Sequence, residues 1–113
     1  MSIEQTAALI AIDVNTGSAR GADPAARINY QAAQILPRVL SLLKLGGTVM
    51  IDFAASPVEK ARIPLAHIME RKVTRLAGYR PLGWGPAGLY EFRCKKPGRS
   101  LADLWKEDII EKN

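Results

Sequence analysis

The chain has 113 residues, enough for one modest hydrophobic core. Apolar residues make up 48% and charged residues 24%, a globular balance that excludes disordered and fibrous classes. The net charge of +5 gathers in the second half: residues 1–57 carry four basic and four acidic side chains, residues 58–113 twelve and seven.

The start, Met1-Ser2-Ile3-Glu4-Gln5, has neither the basic region nor the apolar core of a secretory signal. The apolar runs fall well short of the roughly 20 residues that cross a bilayer, so no membrane segment is expected and a cytoplasmic location is. Ala7 to Val14 reads as a continuous apolar strand buried on both faces. Asn15 to Gly21 is a loop of small and turn-forming residues. Asp23 as N-cap with Pro24 at the first helical position opens a helix to about Leu45. Ile28, Ala32, Ile35, Leu36, Val39 and Leu43 recur at helical spacing and make its expected buried stripe. Pro37 predicts a kink or a break within it, and Gly46-Gly47 its end.

Thr48 to Phe53 is a second apolar strand. The connection between the two strands is long enough for a crossover, so they are expected to run parallel. Beyond them, Ser56-Pro57 starts a short helix to about Ile63, and Pro64 another through Val73. Gly78 to Gly88 reads as a long loop, Leu89 to Cys94 as an alternating strand, and Leu101 to about Glu111 as a final helix capped by Ser100. The fold class is α/β: a βαβ unit with parallel central strands in a small mixed sheet flanked by helices.

Two strands thus end on an aspartate, Asp13 and Asp52. Parallel neighbours finish at the same sheet edge, where open α/β sheets place their ligand crevices. A single aspartate there is usually a turn or cap residue, whereas a pair also suits Mg²⁺, which takes one or two carboxylates plus waters and phosphate oxygens. Asn15 stands two residues after Asp13 and is either a turn residue or a partner for the attacking water. In residues 71–99 eight basic side chains face only Glu91, which reads as a phosphodiester-binding surface or as a solvated basic face. Arg20, Arg93, Lys95 and Lys96 are the candidate residues for gripping nucleic-acid phosphates. Tyr79, Trp84 and Tyr90 suit core packing better than base stacking, and His67, the sole histidine, reads as a solvated residue. Cys94, the only cysteine, excludes an intrachain disulfide and reads as a plain thiol near a strand end.

The segments TAALIAIDVNTGSARG, INYQAAQILPRVLSLLKLGG and TVMIDF, in this order and spacing, resemble the catalytic core of the ribonuclease E/G family. That family shows an Ile-Asp-x-Asn-Thr-Gly type segment, an asparagine-containing helix start, a helix ending Leu-Gly-Gly and a strand ending Ile-Asp-Phe. Gly88 to Phe92 followed by Lys95-Lys96 resembles its Gly-Leu-x-Glu-Met strand and basic tail. The resemblance implies a DNase I-like domain over residues 1–113, whole or as part of a larger enzyme. It implies magnesium on Asp13 and Asp52, Asn15 as the catalytic asparagine, and hydrolysis of single-stranded RNA by in-line attack of a metal-activated water. It also implies a homo-oligomer or additional RNA-binding parts. The chain departs from the family pattern at Pro37, Ser41, Leu43, Lys44, Ala55 and Cys94, and it lacks the cysteine pair with which many members share zinc. These departures support the alternative expectation, an RNA-binding or assembly module that has lost turnover.

Overall fold

The computed structural model describes residues 1–5, 9–14, 22–43, 47–55 and 57–94. Among these residues seven elements follow one another, two of them helices: β1 (Ser2–Gln5), β2 (Leu9–Asp13), α1 (Ala22–Leu42), β3 (Gly47–Asp52), α2 (Glu59–Thr74), β4 (Tyr79–Trp84) and β5 (Tyr90–Cys94). The strands form one mixed sheet in the order β1-β2-β3-β5-β4. Its central pair, β2 and β3, is parallel with α1 between them in the chain, so the βαβ unit is present as expected. The other three pairings are antiparallel.

Both helices pack on one face of this sheet. Ile10 and Ile12 of β2, Val49 and Ile51 of β3, and Tyr90 and Phe92 of β5 point into a single core. Ala32, Ala33, Leu36 and Leu40 of α1 and Leu65, Ile68, Met69 and Val73 of α2 meet them there. The intervening strand residues face away from the helices. Ala11, Asp13 and Asp52 are exposed, and Thr48 and Met50 half-buried. The first strand is therefore buried on one face, not on two, because both helices lie on the same side of the sheet. On its other face the half-buried Leu9 and the small, exposed Ala11 precede Asp13.

Neither the break that was one of the two outcomes expected at Pro37 nor the helix start expected at Pro64 is present. Helix α1 continues through Pro37 and α2 through Pro64 as single elements. Each proline removes one ladder hydrogen bond. On either side of Pro37, burial of Leu36 and Leu40 holds α1 against the sheet, and Leu65, Ile68 and Met69 do so for α2. The buried stripe of α1 is rotated from the one expected. Ala25, Asn29, Ala32, Ala33, Leu36 and Leu40 face inward, whereas Ile35, Val39 and Leu43 are exposed. The helix carries apolar residues on two faces, and periodicity alone does not rank them.

Two strands escaped the sequence reading. Strand β1 adds to the sheet edge beside β2, pairing Ser2 with Asp13 and Glu4 with Ala11. Strand β4 occupies most of the expected 78–88 loop and pairs with β5. Its Pro81 is tolerated because β4 is an edge strand, and the register shift between Pro81 and Gly83 is the irregularity a glycine–proline segment brings. The expected helix at 101–111 and the Gly46 helix end lie outside the described residues.

Candidate metal and nucleic-acid site

The parallel register of β2 and β3 ends on the pair Asp13 and Asp52. Neighbouring strands lie about 4.8 Å apart, so the two carboxylates start from adjacent backbone positions at one sheet edge. Both side chains are exposed and stand on the face that the helices leave open. The ladder continues one bond past the pair, with the Val14 amide donating to the Asp52 carbonyl at 3.0 Å. The two tips are thus tied together through backbone.

A second tie comes from α1. Asn29, only 3% exposed, donates from Nδ2 to the Ala54 carbonyl at 2.9 Å and accepts from the Ala54 amide at 2.7 Å. The amide group is a donor and an acceptor on one planar unit, so it satisfies both polar groups of Ala54, which lies two residues after Asp52. Phe53 between them is buried, with its ring 5.7 Å from that of Trp84. The chain then turns through Ala55 at φ 60°, a left-handed conformation that alanine adopts at a cost. Asn29 was not singled out as a site residue from sequence. The only signal for it was its place in an asparagine-containing helix start, because the contact spans 25 residues.

The open face beside the pair forms a shallow depression of about 320 Å³. Ala11 and Met50 lie in it between the two aspartates and Leu9, and Glu4 stands on its β1 side. Among the described residues no cluster of three or more histidine, cysteine, aspartate or glutamate side chains suits a metal ion. Two carboxylates side by side are a donor set that magnesium accepts, with waters and phosphate oxygens completing its shell, whereas a structural zinc site takes four protein ligands.

Of the candidate RNA-binding residues, Arg93 is exposed on β5, on the same open face as the aspartates. Asn15, Arg20, Lys95 and Lys96 lie outside the described residues. His67 is exposed on α2, away from the pair. The aromatic residues serve the core. Trp84 meets Tyr90 edge-on at 5.6 Å, and its indole N–H donates to the Arg62 carbonyl at 3.3 Å while the Arg62 guanidinium lies 5.1 Å from the ring. Burial, and then the Glu70 charge, push the Tyr90 phenol up to about 12. Burial, followed by the neighbouring Cys94, does the same for Tyr79. Cys94 itself is buried opposite Tyr79, so it is not a surface thiol.

The family model for the ribonuclease E/G family matches residues 1–77, which run from β1 through α2 and include both aspartates. The chain belongs to the ribonuclease E/G family. It is 32% identical to ribonuclease G of Salmonella typhimurium over 104 residues, covering 88% of this chain and 21% of that protein. It is 33% identical to ribonuclease E of Synechocystis over 114 aligned positions, covering 96% of this chain and 17% of that protein. Ribonuclease G of Escherichia coli K12 is 31% identical over 104 residues. The chain thus spans about a fifth of the length of these relatives. Within the family match, the elements that fix the aspartates are the parallel register, the Val14 bond and the Asn29 clamp. Strands β4 and β5, with Arg93, follow the matched segment.

Proposed function

We propose that this chain is a phosphodiester-cleaving domain of ribonuclease E/G type that acts on single-stranded RNA with Mg²⁺ held by Asp13 and Asp52. The observation that carries this reading is the register that ends two parallel strands on two exposed carboxylates side by side. Magnesium bound to such a pair supplies a Lewis acid for a phosphate oxygen and a water of lowered pKa. Asp13 and Asp52 hold the ion and leave the rest of its shell to water and substrate. Asn29 acts behind them, through the Ala54 backbone, as a positioning residue. Asn15, two residues after Asp13 in sequence, orients the attacking water, and Arg20, Arg93, Lys95 and Lys96 take neighbouring phosphates as charge-assisted donors. The partners of this domain are RNA and either a second copy or further RNA-binding parts, in the cytoplasm.

A second reading is an RNA-binding or assembly module without turnover. It is favoured by the departures from the family pattern at Ser41, Leu43, Lys44 and Ala55. Cleavage of a fluorescent single-stranded RNA at graded Mg²⁺ separates the two. Wild type is expected to cut only with the metal, and Asp52→Asn to lose about 100-fold or more in rate. Equal cleavage by both proteins removes the assigned site. RNA binding with no cleavage at any Mg²⁺ concentration selects the second reading.

A further inference from the structure

The eight basic residues of segment 71–99 are divided by the fold. Arg71 and Lys72 lie on α2 and Arg75 caps its end, in the layer that covers the opposite face of the sheet. Lys95, Lys96 and Arg99 lie outside the described residues. Arg80 and Arg93 remain, and the β4–β5 register sets them directly opposite one another. Arg93 alternates with the buried Phe92 and Cys94, so it and Arg80 project from the open face that also carries Asp13 and Asp52.

Like charges directly opposite on adjacent strands repel each other. Among the described residues neither guanidinium has a carboxylate partner; the nearest acid along β5, Glu91, is turned onto the backbone of Gly85, where any Cβ would collide with its carboxylate. Two facing guanidiniums without a counter-charge form a fork that a phosphate group satisfies.

We propose that Arg80 and Arg93 form a cross-strand clamp for an RNA backbone phosphate, so that the single strand crosses the open sheet face from the β4–β5 side to the aspartate pair. The proposal rests on the RNA-directed reading given above and adds Arg80, which the sequence left in a loop. Arg93 pairs with Thr48, and Asp52 stands four residues further along β3. That is roughly 13 Å along the strand plus one or two strand spacings of about 4.8 Å across the sheet. An extended strand gripped at the clamp therefore reaches the aspartates a few nucleotides away. Among the described residues the intervening surface over Met50, Ala11 and Thr48 carries no basic residue, which suits bases or riboses rather than phosphates.

The clamp is tested without metal, so that cleavage plays no part. Binding of a fluorescein-labelled single-stranded RNA to the full chain is followed by anisotropy in EDTA across a KCl series. Each phosphate contact on a single strand contributes about 0.7 to the slope of log K against log salt. Arg80→Ala and Arg93→Ala are each expected to lower affinity several-fold and to flatten the slope by about 0.7. The double variant flattens it by about twice that, and Lys60→Ala on α2, equal in charge change, leaves it unchanged. Circular dichroism melting confirms that each variant folds, and relief of the repulsion predicts a melting temperature at or above that of wild type. An unchanged slope in Arg80→Ala, or an equal flattening in Lys60→Ala, overturns the clamp. Neither result bears on the aspartate site, which stands or falls on Mg²⁺-dependent cleavage by Asp52→Asn.

Discussion

Replacing Asn29 by alanine tests whether the α1 clamp holds the aspartate edge in place. The substitution removes two hydrogen bonds, of 2.9 and 2.7 Å, and leaves the amide and carbonyl of Ala54 without their partner. Ala54 is only 4% exposed, so water does not readily replace the lost groups. A buried bond is worth about 1 kcal/mol and a stranded buried polar group costs about 1–3 kcal/mol, which places the loss at about 3 kcal/mol. For a domain of this size that corresponds to a fall in Tm of about 12 °C, and to a lower urea midpoint with an unchanged slope. Asn29→Asp adds a sign that packing alone does not give. The protonated acid can donate to the Ala54 carbonyl and still accept from its amide, whereas the carboxylate cannot donate. Its folded-state pKa is therefore raised, and the variant regains stability relative to wild type as the pH falls toward the ordinary carboxylate value of about 3.9 and loses it as the pH rises. A loss below about 1 kcal/mol in Asn29→Ala, with no pH trend in Asn29→Asp, refutes the clamp.

Tyr90 is fully buried and its hydroxyl has no hydrogen-bond partner among the described residues. Tyr90→Phe is therefore expected to be neutral or to stabilise by up to about 1 kcal/mol in urea unfolding, and a clear loss would reveal a partner for the hydroxyl. Because burial raises the Tyr90 phenol to about 12, folding keeps the proton that an unfolded chain releases near 10, so stability falls as the pH rises from about 10 to 12. The Phe variant should flatten that decline, as read from urea midpoints across this range. Ala55→Gly relieves left-handed strain of about 1–2 kcal/mol at φ 60°, more than the roughly 0.4–1 kcal/mol of added unfolded-chain freedom, and should raise Tm by a few degrees. Arg62→Ala removes the guanidinium over Trp84 and the 2.8 Å bond from Nε to the Pro57 carbonyl, for an expected loss of about 1–2 kcal/mol by chemical denaturation.

The βαβ unit was legible because its signals are local: two short apolar runs, a helical pattern between them and a glycine pair before the second run. The same locality explains what was misread. Pro64 and Pro81 are interruptions only when the rest of the fold is ignored; one lies in a helix held by a buried face and the other in an edge strand. The α1 stripe was rotated because Ile35 and Val39 satisfy the helical period as well as Leu36 and Leu40 do. At the candidate site the aspartates were found from their places at strand ends, and their family setting from the motifs around them. The Asn29 contact to Ala54 was not found, since a hydrogen bond across 25 residues leaves no periodic trace.

The two strand-ending aspartates, the crossover that makes their strands parallel and the excess of basic residues after them can all be read along the chain. Those features follow from residue type and spacing along the chain. It takes the folded chain to show that α1 and α2 cover one face, that the aspartates stand exposed on the other, and that Arg80 meets Arg93 there while Arg71, Lys72 and Arg75 do not. Which face a side chain takes depends on strand register and on the side where the helices dock, and both are set by contacts between residues far apart in the chain.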